Sequence, residues 1–103
     1  MNIVCNASIA LNEWYATRNM NEFARHELRL PRSNNEENKA VLCVELAQYL
    51  SSFSIWGQGT TEWIIVDGAT GETIVSEDSL FVDTAQLNLL MDRALEQLKA
   101  LAK

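Results

Sequence analysis

Eight carboxylates lie between Lys39 and Arg93, and that interval contains no lysine or arginine. Residues 1–44 hold five acids and five bases, so the formal net charge of −6 arises from residues 45–103. An unbalanced set of carboxylates creates a negative field that attracts cationic partners and repels nucleic acid and anionic membranes. The sequence therefore predicts binding to a basic protein, without direct contact to nucleic acid or membrane.

Five of these acids are expected at the strand ends and turns of a β-hairpin, where they would form a docking face that selects partners by charge. The alternative is a surface that keeps the protein soluble and protects a sheet edge, although such surfaces usually mix signs. An aromatic residue beside the Gly57-Gln58-Gly59 loop would be the anchor, because aromatic side chains dominate interface energetics; it could instead close a helix onto the sheet. The candidate partner-binding residues are Trp56, Glu62, Asp67, Glu72, Glu77 and Asp78.

Other chemistry has weaker support. His26 is the only imidazole and could act as a general base, but no nucleophile is marked beside it. No phosphate-binding glycine loop, Gly-x-Ser-x-Gly or Cys-x-x-Cys motif is present. Two cysteines and one histidine at unrelated spacings do not close a zinc site without added carboxylates. We therefore expect no catalytic residue, metal or cofactor.

Four arginines, at positions 18, 25, 29 and 32, form the one basic stretch. Arg25, Arg29 and Arg32 would share a face of a helix that extended that far. Acids are interleaved among them and the net charge is wrong for nucleic-acid binding. An intramolecular partner in the acidic half, or a self-association contact, is the favoured interpretation.

Length and composition indicate one domain, residues 1–103, of ordinary globular character. There is no apolar run long enough for a membrane-spanning helix and no basic segment preceding an apolar one at the N-terminus. Cys5 and Cys43 do not make a disulfide framework, and Cys43 lies in an apolar pattern that we interpret as helical. A reduced, cytoplasmic setting is expected.

The first half is predicted to be mainly helical. Residues 3–11 alternate as a short strand would, with a helix beginning near Ser8 as the alternative. A helix is predicted over residues 12–28, ending before Pro31. Asn34 or Asn35 is predicted to cap a second helix reaching Phe53. Its apolar stripe consists of Leu42, Leu46, Tyr49, Leu50 and Phe53.

The second half is predicted to contain a hairpin and a long helix. Strands near Trp63–Val66 and Glu72–Val75 enclose a loop finished by a left-handed glycine, and Trp63 is assigned to the core of a central strand. Residues 80–82 could add a short third strand. Asp83 and Gln86 form a capping box, with Val82 and Leu87 placed as a hydrophobic staple. The apolar stripe of this helix suits packing on the sheet better than a dimer seam.

Together these elements predict an α+β fold. It comprises a small antiparallel sheet, made of the hairpin near residues 62–76 plus one or two further strands, covered by two or three helices. The leading functional hypothesis is a non-enzymatic protein that occupies and inhibits a basic partner, such as an immunity protein or a phage-type inhibitor acting on a nuclease. A dimeric secretion chaperone is the alternative, and a small enzyme is third. The protein would be a monomer or a homodimer.

Overall fold

The computed structural model describes residues 3–30 and 38–103. In chain order the elements are α1 (Ala7–Ala16), β1 (Arg25–Arg29), β2 (Lys39–Leu46), β3 (Tyr49–Trp56), β4 (Thr60–Asp67), β5 (Thr73–Leu80) and α2 (Thr84–Leu101). The five strands form one antiparallel sheet whose spatial order, β1-β2-β3-β4-β5, follows the chain. The α+β class is confirmed, with more strands than predicted.

The two faces of the sheet differ in burial. Side chains alternate between faces along a strand, so Ala40, Leu42 and Val44 of β2 share one face. All three are buried, as are their counterparts on β3 and β4: Phe53, Ile55, Trp63 and Ile65. These residues form one core with the buried side chains of α1 and α2. We call this side the core face and the opposite side the open face.

The N-terminal predictions are largely wrong. Residues 3–11 are not a strand; the alternative of a helix beginning near Ser8 is confirmed by α1, whose N-cap Asn6 accepts a hydrogen bond at Oδ1 from the Ile9 N–H (3.0 Å). The helix predicted over residues 12–28 is also wrong, because α1 ends at Ala16 and β1 follows. Arg25 and Arg29 thus share a strand face rather than a helix face, while Arg32 lies outside the described residues.

The second predicted helix is wrong over its described part. Its proposed start at Asn34 or Asn35 lies outside the described residues, and residues 39–56 form the β2–β3 hairpin. The turn is only Ala47-Gln48, and Ala47 takes a φ of 53°. Leu46 pairs with Tyr49 across this turn and Leu42 pairs with Phe53, so these four residues of the supposed helical stripe are cross-strand neighbours. The fifth, Leu50, lies on the opposite face. Cys43 accordingly lies in a strand, half-buried on the open face.

The β4–β5 hairpin and α2 are confirmed. Gly71 finishes the hairpin loop at a φ of 76°, and its N–H donates to the Asp67 carbonyl (2.7 Å). Trp63 is buried as predicted, although β3, not β4, is the middle strand. Asp83 caps α2 by accepting from the Gln86 N–H (2.8 Å).

Two details at this end of the chain differ from prediction. Residues 80–82 are not a separate strand, since Leu80 ends β5. Val82 is 72% exposed, so the hydrophobic staple buries little of it. The apolar stripe of α2 enters the core through Leu87, Met91, Ala94 and Leu98, as expected for packing on the sheet.

Candidate partner-binding face

Three of the six candidate binding residues come together on the open face. In the cross-strand register, Glu62 of β4 lies opposite Asp78 of β5. Trp56 ends β3 and pairs with Thr60, two residues before Glu62 on the same face of β4. Alternation along the strands therefore places one aromatic ring and two carboxylates at the same end of the open face.

A shallow groove of about 720 Å³ lies between these side chains. Its lining includes Trp56, Thr60, Glu62, Asp78 and Leu80. Leu80 pairs with Thr60 and is 78% exposed, so it offers an apolar rim beside the carboxylates. The groove combines apolar contact area with negative charge, the composition expected of a surface that takes a long cationic side chain.

The hydrogen-bond pattern of the hairpin brings the two carboxylates close. The Phe81 N–H donates to the Gly59 carbonyl (2.9 Å), which marks residues 59 and 81 as a hydrogen-bonded pair. Hydrogen-bonded and non-hydrogen-bonded pairs alternate in an antiparallel ladder, so Glu62 and Asp78 form a non-hydrogen-bonded pair. Cα atoms in such pairs are only about 4.5 Å apart. Like charges directly opposite destabilise a sheet, and a bound cation would relieve this repulsion.

The charged side chains of Arg25, Glu27 and Arg29 on β1 lie near opposite charges. At the other edge, Arg25 approaches Glu45 (N–O 3.6 Å) and Arg29 approaches Glu27 (3.8 Å). Among residues 3–30 and 38–103, no ion pair includes Glu62 or Asp78. The excess negative charge of the second half is therefore concentrated towards β4 and β5.

Trp56 does not close a helix onto the sheet, which was the alternative role considered for it. It is half-buried and shares the open face with its cross-strand partner Lys39, whose ammonium lies 4.8 Å from the ring centroid. This cation–π contact stabilises one side of the indole. The other candidate residues of the groove lie on the opposite side, towards β4 and β5.

Asn38 and Gly57 fix the end of the sheet that carries Trp56. The Asn38 side chain accepts a hydrogen bond from the Ala7 N–H (2.7 Å) and donates one to the Cys5 carbonyl (2.8 Å). The backbone carbonyl of Asn38 accepts from the Gly57 N–H (2.9 Å). A Cβ on Gly57 would lie 1.9 Å from Asn38 Nδ2, so only glycine fits there. These contacts join the start of α1 to the β3–β4 turn.

The remaining candidate acids lie elsewhere. Asp67 and Glu72 are at the opposite end of the hairpin, about 17 Å along β4 from Glu62 at the usual rise per residue. Asp67 also serves its own turn, since its Oδ1 accepts from the Ala69 N–H (2.9 Å). Glu77 is exposed but alternates onto the core face of β5. The structure thus divides the six residues into a groove set, a turn pair and one acid on the other face.

Two arginines of the basic stretch reach acids of the second half. Arg18 forms a two-pronged ion pair with Asp92 (2.9 and 3.0 Å), and Trp14 Nε1 donates to the same carboxylate (3.0 Å). The Arg18 hydrogen bond holds the pKa of Asp92 below its ordinary value, with burial opposing and the Trp14 bond assisting. Arg25 reaches Glu45. These contacts support the predicted intramolecular role for the stretch.

His26 is exposed on β1 and shares a hydrogen bond between its Nδ1 and the Tyr15 hydroxyl. Within the part of the chain that the structure describes, this is the only side-chain hydrogen bond of the ring. That contact ties β1 to α1. Burial raises the pKa of the Cys5 thiol, which disfavours a reactive thiolate there.

Leu80 and Thr60 belong to the groove but were not singled out from the sequence. The signal was available in the hairpin: with Trp63 and Ile65 directed inward, alternation directs Thr60, Glu62 and Ile64 outward. Leu80 was instead assigned to a separate strand, which hid its position opposite Thr60.

Comparison with known protein families, curated proteins and solved structures finds no match to this chain. Neither helix, in the stretches that the structure describes, is long and apolar enough to cross a membrane. Across those same stretches no cluster of three or more His, Cys, Asp or Glu side chains is arranged to hold a metal ion.

Proposed function

We propose that this protein is a non-enzymatic inhibitor that binds a basic partner protein through the groove on the open face. The observation that carries the proposal is the facing pair Glu62 and Asp78, two like charges without a described counter-ion beside a half-buried tryptophan. Two facing carboxylates should lower the stability of the free protein. The simplest reason for such a pair to persist is that a ligand binds to it.

Inhibition follows from the chemistry of the surface to be covered. A protein that acts on an anionic substrate such as nucleic acid carries lysines and arginines at its own site. The carboxylates around the groove would steer such a surface to the open face and occupy it. Trp56 and Leu80 supply the apolar contact that holds the complex once it has formed. An immunity protein or a phage-type inhibitor fits this description.

The test is a pull-down of the tagged protein from its native lysate, washed first at low and then at high salt, with mass spectrometry of the eluate. The double variant Glu62→Gln/Asp78→Asn removes the facing charges. The double variant Glu13→Gln/Glu72→Gln is the matched control, because it removes the same charge from exposed positions on α1 and in the hairpin loop.

We expect the wild type and the control to retain one basic protein, which high salt releases. The groove variant should not retain it. The partner's activity should then fall when the wild-type protein is added, and it should stay unchanged when the groove variant is added instead. Equal retention by both double variants would refute the groove. Many apolar clients insensitive to salt would favour the secretion-chaperone alternative instead.

A further inference from the structure

Among residues 3–30 and 38–103, strand β5 pairs along one side of its backbone only. It is the last strand in the sheet order, and β4 is its only described strand neighbour. Because residues 77, 79 and 81 belong to hydrogen-bonded pairs with β4, the alternation turns the N–H and C=O groups of Ser76, Asp78 and Leu80 outward. All three residues are exposed. The sheet therefore ends in backbone groups that can pair with another extended chain.

The side chains along this edge specify what such a chain would carry. Glu77 and Asp78 are consecutive, so one carboxylate lies on each face of β5 at nearly the same height. Leu80 follows Asp78 on the open face, beside the groove. An added strand would meet acids on both faces and an apolar rim two residues away.

We propose that the bound segment of the partner is an extended basic strand that pairs with β5 as a sixth, antiparallel strand. This inference rests on the proposed function and names its recognition mode. The residue opposite Asp78 and the next residue, opposite Glu77, are lysine or arginine. The residue opposite Leu80 is apolar and reaches the groove towards Trp56. Main-chain hydrogen bonds supply affinity and the alternating side chains supply selectivity.

The other edge of the sheet does not suit the same ligand. β1 carries two cations, Arg25 and Arg29, and a single acid, Glu27, which already lies near Arg29, so it attracts a cationic chain less than β5 does. Charge therefore distinguishes the two edge strands of the described sheet. The basic strand is directed to β5 and away from β1.

A synthetic peptide of eight residues, the length of β5, tests the pairing directly. Its sequence is Thr-Val-Tyr-Thr-Lys-Lys-Thr-Thr, which places the first lysine opposite Asp78 and the tyrosine opposite Leu80. The control peptide has the same sequence and charge but is N-methylated at the tyrosine, the first lysine and the first threonine after the lysines, the three residues whose N–H groups would face β5. Backbone amide exchange of the protein is followed by NMR with each peptide.

The expected result is slower exchange at the outward amides of Ser76, Asp78 and Leu80 with the first peptide and no change with the methylated one. Amides at residues 77 and 79, already bonded to β4, should keep their rates. If the peptides perturb the Trp56 indole equally without slowing the outward amides, the strand pairing is refuted while the groove proposal stands. If neither peptide perturbs Trp56 or β5, both proposals are refuted.

A variant of the protein gives an independent check. Ser76→Pro removes an outward N–H and blocks the edge without breaking a bond to β4, and proline is tolerated on edge strands. Ser76→Ala keeps the N–H and is the matched control. With both variants melting cooperatively, at least a tenfold loss of peptide affinity in Ser76→Pro alone supports the pairing. Equal affinity in the two variants would overturn it.

Discussion

Replacing Asp78 with asparagine should make the protein more stable. At the non-hydrogen-bonded spacing, the Cβ atoms of Glu62 and Asp78 are about 5 Å apart, and we take that distance as the separation of the two charges. Two unit charges at that distance in water repel by about 0.8 kcal/mol. Screening at physiological salt reduces this to about 0.4 kcal/mol. For a domain of this size, that gain corresponds to a Tm rise of about 2–3 °C.

Thermal melts followed by circular dichroism at low and high salt provide the assay. Glu77→Gln is the control, because it removes the same charge from the adjacent residue, which faces Trp63 rather than an acid. We expect Asp78→Asn to exceed Glu77→Gln in Tm at low salt and the difference to vanish in 1 M NaCl, where the Debye length is about 3 Å. A gain that survives high salt, or no gain over the control, would refute the assignment of Glu62 and Asp78 as a repelling pair.

Three further predictions concern the scaffold. Asp92→Asn should cost about 1 kcal/mol near neutral pH, because it removes the negative charge beside Arg18 and the second carboxylate oxygen that accepts from Arg18. Since the pKa of Asp92 is lowered in the folded state, the deficit relative to wild type should shrink below about pH 4, as urea titrations across pH would report. Ala47→Gly should raise the free energy of unfolding by about 0.5 kcal/mol in urea titration, since glycine accepts the positive φ without strain; unchanged stability would argue against that turn geometry. Asn38→Ala should lower the free energy of unfolding by about 2 kcal/mol or more, because the Ala7 N–H and the Cys5 carbonyl lose their hydrogen-bond partner. A Tm within about 2 °C of wild type would contradict those bonds.

The β4–β5 hairpin and α2 could be predicted because their turn or capping residues and their hydrophobic patterns indicate the same structure. The β4–β5 hairpin has a β-branched run on each side of a glycine-containing loop, and α2 has a complete capping box ahead of a wide apolar stripe. In both cases turn chemistry and hydrophobic period give the same answer. These elements were therefore predicted within a few residues, and Glu62 and Asp78 were predicted to belong to one hairpin.

The β2–β3 hairpin could not be predicted in the same way, because its turn is Ala47-Gln48. That pair lacks the asparagine and glycine that usually accept positive φ. Without a turn signal, the apolar positions from 42 to 53 matched a helical period by coincidence, since the two-residue turn shifts the alternation. Tertiary packing of both strands into the core overrode the local preference.

The wrong assignment of residues 39–53 to a helix also affected the prediction of the binding site. Trp56 was assigned to the loop after a helix, so its position at the end of β3, on the face away from the helices, was not evident. The segregation of charge across the sheet likewise depends on strand order, which a linear list of acids does not contain. Separating the groove acids from Asp67 and Glu72 required the register of β4 and β5.

The strand order has a consequence for how the chain reaches its native state. Every strand pairs only with its neighbours along the sequence, so no ladder has to wait for a distant segment to be synthesised. Topologies with short loops between contacting segments have low contact order and fold quickly. The bonds of Asn38 that join α1 to the β3–β4 turn are among the distant closures, together with the bonds from Trp14 and Arg18 to Asp92. Strand β5 follows β4 across a short loop, so the acidic edge proposed for binding can form as soon as that local hairpin does.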